Sequence, residues 1–174
     1  MKYQRISVKT LKYTIGIDVG SKGSLCVMEN TNLKTLIPFK SIKSYLKELQ
    51  TAKKVYTQGY LDIWVESVHS MPKQGVKSMF SFGQRFGEII GVLEAYDLCY
   101  NLVLPKQWQK DLAKQYDFDI DKDNIKLSIG KFIHKKYGKS VNLLKRTGNI
   151  NTDLTDSIAI ALTYANLIER GKKR

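Results

Sequence analysis

Apolar and polar residues alternate from Thr14 to Met28, interrupted by the polar cluster Ser21-Lys22-Gly23-Ser24. This is the pattern of two β-strands joined by a tight turn. LKTLIPF (33–39) continues as a third strand that ends near Pro38, where proline suits a strand edge or end. The period then becomes helical over 41–54, with Ile42, Tyr45, Leu46 and Leu49 on one face and lysines between them. LDIWVE (61–66) predicts a fourth strand whose apolar run leads straight into Glu66. Ser, Pro and Gly mark 67–75 as a loop before a helix from about Val76 to Tyr96. CYNLVL predicts a fifth strand, ended by Pro105, and 106–116 a short helix or turn. A basic helix over 122–137 carries Ile125, Ile129, Phe132 and Ile133 on its apolar face and closes at Gly138. The last helix begins near Thr152, with Leu154, Ile158, Ala161, Leu162 and Ala165 at core spacing.

That order predicts an α/β sandwich: a mixed five-stranded sheet, made of a three-stranded antiparallel meander plus parallel strands and flanked by helices. The 174 residues fit one domain with short basic tails, long enough to bury a core without disulfides. A formal net charge of +13, from 29 basic and 16 acidic residues, points to a polyanionic partner, nucleic acid first. The basic residues are scattered and do not line one face of an amphipathic helix, which disfavours a membrane surface. Cys26 and Cys99 stand alone in apolar, strand-like runs and read as reduced core residues. MKYQRISVKTLK has no apolar signal-peptide core, and no run reaches membrane-spanning length, so a cytoplasmic protein is expected.

Candidate chemistry begins with Asp18, a carboxylate set among Ile15, Ile17 and Val19. Burying it requires a compensating cation, although a turn-opening Asp would explain it as well. Glu66 lies where its strand leaves the core. Asp153 and Asp156 are three residues apart and project from one helix face, where acids also complement the helix dipole. Four carboxylates gathered at strand ends would repel one another unless cations intervened, and two Mg²⁺ about 4 Å apart would satisfy them. Such a pair hydrolyses phosphodiesters, and the basic surface would bind the phosphates.

Residues IGIDVGSKGSLCVM, VESVHSMPKQGVKSMFSFGQRFGEIIGVLEA, LVLPKQW and DLTDSIAIA together resemble the RuvC family of Holliday junction resolvases, of the RNase H-like superfamily, and its phage-type members in particular. The resemblance implies an RNase H-like fold and a Mg²⁺-dependent endodeoxyribonuclease, active as a homodimer with two ions per site, Mn²⁺ substituting. It would resolve four-way and other branched DNA by paired symmetric nicks that leave 5′-phosphate and 3′-hydroxyl ends, in bacterial or phage-infected cytoplasm. The catalytic metal ligands fall on Asp18, Glu66, Asp153 and Asp156. DNA contacts fall on Lys106 and Lys122, with His69, Lys73 and Phe80 as further candidates, Phe80 as a wedge that stacks on bases at an open branch point. Ser157 stands where the family usually has alanine, a small change expected to leave the carboxylates undisturbed. Asn151-Thr152 replaces a more basic approach to the first helix acid.

Gly83, Gly87 and Gly91 recur every fourth residue beside the ridge Phe82, Phe86 and Ile90. Helical glycines cost about 1 kcal/mol each relative to alanine, so a close backbone should compensate them, either the protein's own sheet or a dimer partner. Trp64 and Trp108 read as core, with Trp108 alternatively facing nucleic acid beside Lys106. Other readings remain. IGIDVGSKGS also resembles the phosphate hairpin of sugar kinases and actin, but the chain is short for that two-domain architecture and has no second such hairpin. An RNase H acting on RNA:DNA hybrids would use the same metals. A non-catalytic junction binder would gain nothing from gathered acids.

Overall fold

Strand β1 (Lys12–Asp18) lies at the centre of the sheet, buried along most of its length and paired on both edges. It runs antiparallel to β2 (Ser24–Glu29), which runs antiparallel to β3 (Asn32–Pro38). On its other side it is parallel to β4 (Tyr60–Glu66), itself parallel to the edge strand β5 (Asn101–Val103). The five-stranded order β3-β2-β1-β4-β5 is the meander plus parallel strands expected from the sequence. This computed structural model describes residues 12–20, 22–55, 60–67 and 75–165. His69 and Lys73 lie outside the described residues.

Side-chain alternation divides the sheet between two cores. Ile15, Ile17, Val19, Leu25, Val27, Ile63 and Val65 pack against α1 (Ile42–Lys54) and α2 (Val76–Ala95), chiefly on Tyr45, Leu49, Ile89 and Leu93. The opposite face, with Cys26, Met28 and Trp64, is covered by α3 (Pro105–Tyr116), α4 (Ile125–Tyr137) and α5 (Thr152–Ala165). α5 is buried on nearly every side from Thr155 onward, so it is the central helix of its layer.

Several boundaries and one burial expectation change. β5 is only three residues long, and the start of CYNLVL lies outside the strand, leaving Cys99 exposed; Cys26 is fully buried as expected. Residues 105–116 form a full helix with Pro105 in its first turn, where its missing N–H costs nothing. The basic helix starts at Ile125, leaving Lys122 in the turn before it. Trp108 is 1% exposed, so it belongs to the core and does not face nucleic acid.

The two explanations for the glycines of α2 also separate. An added Cβ at Gly83, Gly87 or Gly91 would meet nothing within 4 Å, so this edge is not the contact with the protein's own sheet. That contact runs instead through Ile89 and Leu93, with Phe82, Phe86 and Ile90 partly buried beside them.

Candidate active site

The acids are assembled by strand parity and one close helix approach. Gly16 on β1 and Trp64 on β4 face α5, and a period of two carries Asp18 and Glu66 to that same face at the same sheet end. A side chain at Gly16 would collide with the Ser157 carbonyl and the Ala161 amide nitrogen, so only glycine lets α5 lie this close to β1. The following turn closes through a Gly23 N–H to Gly20 carbonyl bond at 3.1 Å. A Cβ at Gly23 would strike the Asp18 backbone carbonyl.

α5 is fixed at both ends. At the start, Ser24 Oγ donates to the Asp153 carbonyl at 2.9 Å and lies 2.6 Å from Ser157 Oγ. Ser157 is therefore more than a tolerated replacement for alanine, because its hydroxyl joins the helix that carries the acids to β2. The Asn151 carbonyl accepts from the Leu154 and Thr155 amides, closing the first turn. At the far end, the buried Lys12 Nζ donates to the Tyr164 carbonyl at 2.6 Å and pairs with Asp62 at 3.8 Å. Trp64 stacks on Tyr164 with ring centroids 3.5 Å apart.

Three of the acids form one electrostatic unit. Burial raises the Asp18 carboxyl well above the usual range, and the charges of Glu66 and Asp156 and a hydrogen bond shared with Glu66 raise it further. Asp156 is 2% exposed and pushed up to about 6, mainly by burial; the Lys126 ammonium opposes the shift, while Glu66 and Asp153 add to it. Asp153, half-buried, lies three residues before Asp156 on α5. Among the described residues no three acidic or metal-ligating side chains are close enough to grip a single ion as they stand. The donor set nevertheless fits a hard divalent cation: all its ligands are carboxylate oxygens, and Asp156 Oδ1 is buried with no hydrogen-bond partner.

Two residues that the sequence reading did not assign touch this unit directly. Trp108 Nε1 donates to Glu66 Oε1 at 3.0 Å in a buried bond, fixing the carboxylate from the first turn of α3. Lys126 Nζ, at the start of α4, lies 3.2 Å from Asp156 Oδ2. LPKQW was visible as a motif, but the tryptophan's polar edge has meaning only once α3 is docked on β4. For Lys126 the only signal was a lysine in the first turn of a helix, one among many lysines.

No protein-family model matches the sequence, and no curated protein matches it. The likeness is found in solved structures. Thermus thermophilus RuvC in complex with a Holliday junction substrate superposes with a TM-score of 0.59 at 17% identity, covering 92% of this chain and 96% of that one. A second T. thermophilus RuvC structure gives 0.53 at 16% identity, covering 91% and 96%. The fold is RuvC-like. In this RuvC-like fold three of the remaining described candidates are at the surface. Lys106 and Lys122 are exposed, and Phe80 is 74% exposed beside Val76 and Met79 at the start of α2. Phe82 and Phe86 stack at 6.3 Å and turn part of their surface toward the α1–α2 core.

Proposed function

We propose that this chain is a divalent-metal-dependent endonuclease that resolves four-way DNA junctions, as the phage-type RuvC resemblance implies. The observation that carries this reading is the gathering of Asp18, Glu66 and Asp156 at one sheet end of a RuvC-like fold, with an unpartnered Asp156 oxygen among its donors. Asp18, Glu66, Asp153 and Asp156 would hold two Mg²⁺ ions, which when bound supply an activated water and charge neutralisation at the scissile phosphate. The protein's own residues do the rest. Trp108 orients Glu66, Ser24 and Ser157 fix the helix that carries the other two acids, and Lys106 and Lys122 offer ammonium groups to DNA phosphates. The +13 charge supports a polyanionic substrate.

Paired nicks need two active sites, and we assign the dimer contact to the open glycine edge of α2, where a second backbone could approach closely. Phe80 is positioned to stack on an unpaired base where the duplex arms separate. The test is one gel in Mg²⁺ offering four-way, three-way, flap, linear duplex and RNA:DNA hybrid substrates. Symmetric nicks with 5′-phosphate ends on the four-way junction are expected. Preference for the hybrid would make the protein an RNase H, and binding without cutting would make it a junction binder. Gly87→Leu should sediment as a folded monomer that nicks singly.

A further inference from the structure

Lys126 is set between two binding functions. Its stem is open to solvent, the side chain 67% exposed, yet its ammonium reaches a carboxylate that is 3% exposed. One oxygen of Asp156 is thus covered by a cation while the other is buried without a partner. A divalent ion using Asp156 would meet this ammonium at a few ångströms, and like charges at that range compete for the ligand. Lys126 also lines an open groove with Lys122, Asp123, Asn124, Ile125, Leu127 and Thr152. Its two lysines outnumber the one aspartate, and Asn124 and Thr152 add neutral polar groups, so the lining can take a phosphate.

We propose that Lys126 is a displaceable counter-ion that couples divalent-ion binding to DNA binding. This rests on the nuclease reading of the site. In the free protein the ammonium competes with the ion for Asp156. A DNA phosphate in the groove offers Lys126 another partner, and its departure clears Asp156 for the ion. Coupling of this kind is reciprocal, so the ion also strengthens the hold of the groove on DNA. The pair therefore keeps the acids poorly loaded until substrate is present.

The test is calorimetric titration with Ca²⁺, a non-hydrolysing probe, on wild type, Lys126→Met and Lys126→Arg, each with and without a four-way junction. Asp156→Asn, titrated alongside, gives the background of ions bound elsewhere. In wild type the junction should tighten Ca²⁺ binding about tenfold. Lys126→Met should bind Ca²⁺ without DNA about as tightly as wild type does with it, and the junction effect should shrink to less than about threefold. Lys126→Arg should behave as wild type. An unchanged or weaker Ca²⁺ affinity in Lys126→Met, or a full junction effect in that variant, would overturn the proposal. So would a wild type in which the junction does not tighten Ca²⁺ binding. Cutting by wild type in Mg²⁺ is measured separately: coupling without cutting would sink the nuclease reading alone, and cutting without coupling would sink only the role of Lys126.

Discussion

The two ends of α5 each hold a lysine against an oxygen, and they do it in opposite ways. At the C-terminal end the lysine is buried: Lys12 is 6% exposed, its ammonium bonded to the last-turn Tyr164 carbonyl and paired with Asp62. Burial lowers the Lys12 pKa while Asp62 raises it, and a cation at a helix C-terminus also complements the macrodipole. At the N-terminal end the carboxylate is buried and the lysine is exposed. The first end is satisfied and closed. The second holds like charges together with one oxygen unpartnered, a local conflict of the kind that persists where function needs it. The satisfied contacts lie at one end of the helix and the clustered acids at the other.

The largest effect that separates the ends is on catalysis. Asp18→Asn, Glu66→Gln or Asp156→Asn should lower junction cutting by at least about a thousandfold in a single-turnover assay, with DNA binding kept or tightened. Near-normal cutting by any of them would remove that acid from the site. Trp108→Phe deletes the N–H to Glu66 and leaves a small cavity where the larger indole packed, so cutting should fall about ten- to a hundredfold, with a stability loss of about 2 kcal/mol in urea. An equal loss in both measurements would make Trp108 a packing residue.

Smaller effects sharpen the contrast in folding. Asp156→Asn should raise stability in a chelator at pH 8, because ionising a carboxyl shifted from 3.8 to about 6 opposes folding by about 3 kcal/mol. The sign follows from the raised folded-state value. Between about pH 4 and 6 the folded state holds the proton that the unfolded state has released, so wild-type stability should fall as pH rises through that window. The slope should be shallower in Asp156→Asn, with Asp18 still contributing in the same direction. Lys12→Met should do the reverse at the other end, costing about 2 kcal/mol in urea while the cutting rate of the folded fraction stays near wild type. The smallest effect belongs to Ser157→Ala, which removes the bond to Ser24. About 1 kcal/mol of stability should be lost with at most a few-fold change in rate.

Both strand-borne acids were legible from the chain because an acid beside or ending an apolar run is conspicuous, and Asp153 and Asp156 because their spacing places them on one helix face. The sheet order followed from the same periodicities. Lys126 was not legible, since its significance depends on α4 docking beside α5 across thirty residues of sequence, and the chain is full of lysines. Trp108 was placed correctly in the core, but the direction of its N–H is a tertiary fact. Cys99 is exposed where its apolar run predicts burial, because the sheet edge pairs only Asn101–Val103 of that run. The glycines of α2 demanded a neighbour, and only the folded chain shows that their own sheet does not supply it.

Gly16 bears no charge and lies two residues before Asp18, yet its missing methyl group works as a gauge block for the whole acid-bearing end. The gap between β1 and α5 is set by backbone lying against backbone at this one point. Any side chain there would act as a shim, lifting the helix and carrying Asp153 and Asp156 away from Asp18 and Glu66 together, with none of the four altered. Gly16→Ala should therefore detune the distance between the two pairs of acids, weakening Ca²⁺ binding by more than its loss of stability in urea accounts for; equal losses would show that the gap is not what sets the fit. The tolerance of the site is thus written into a position that carries no functional group at all.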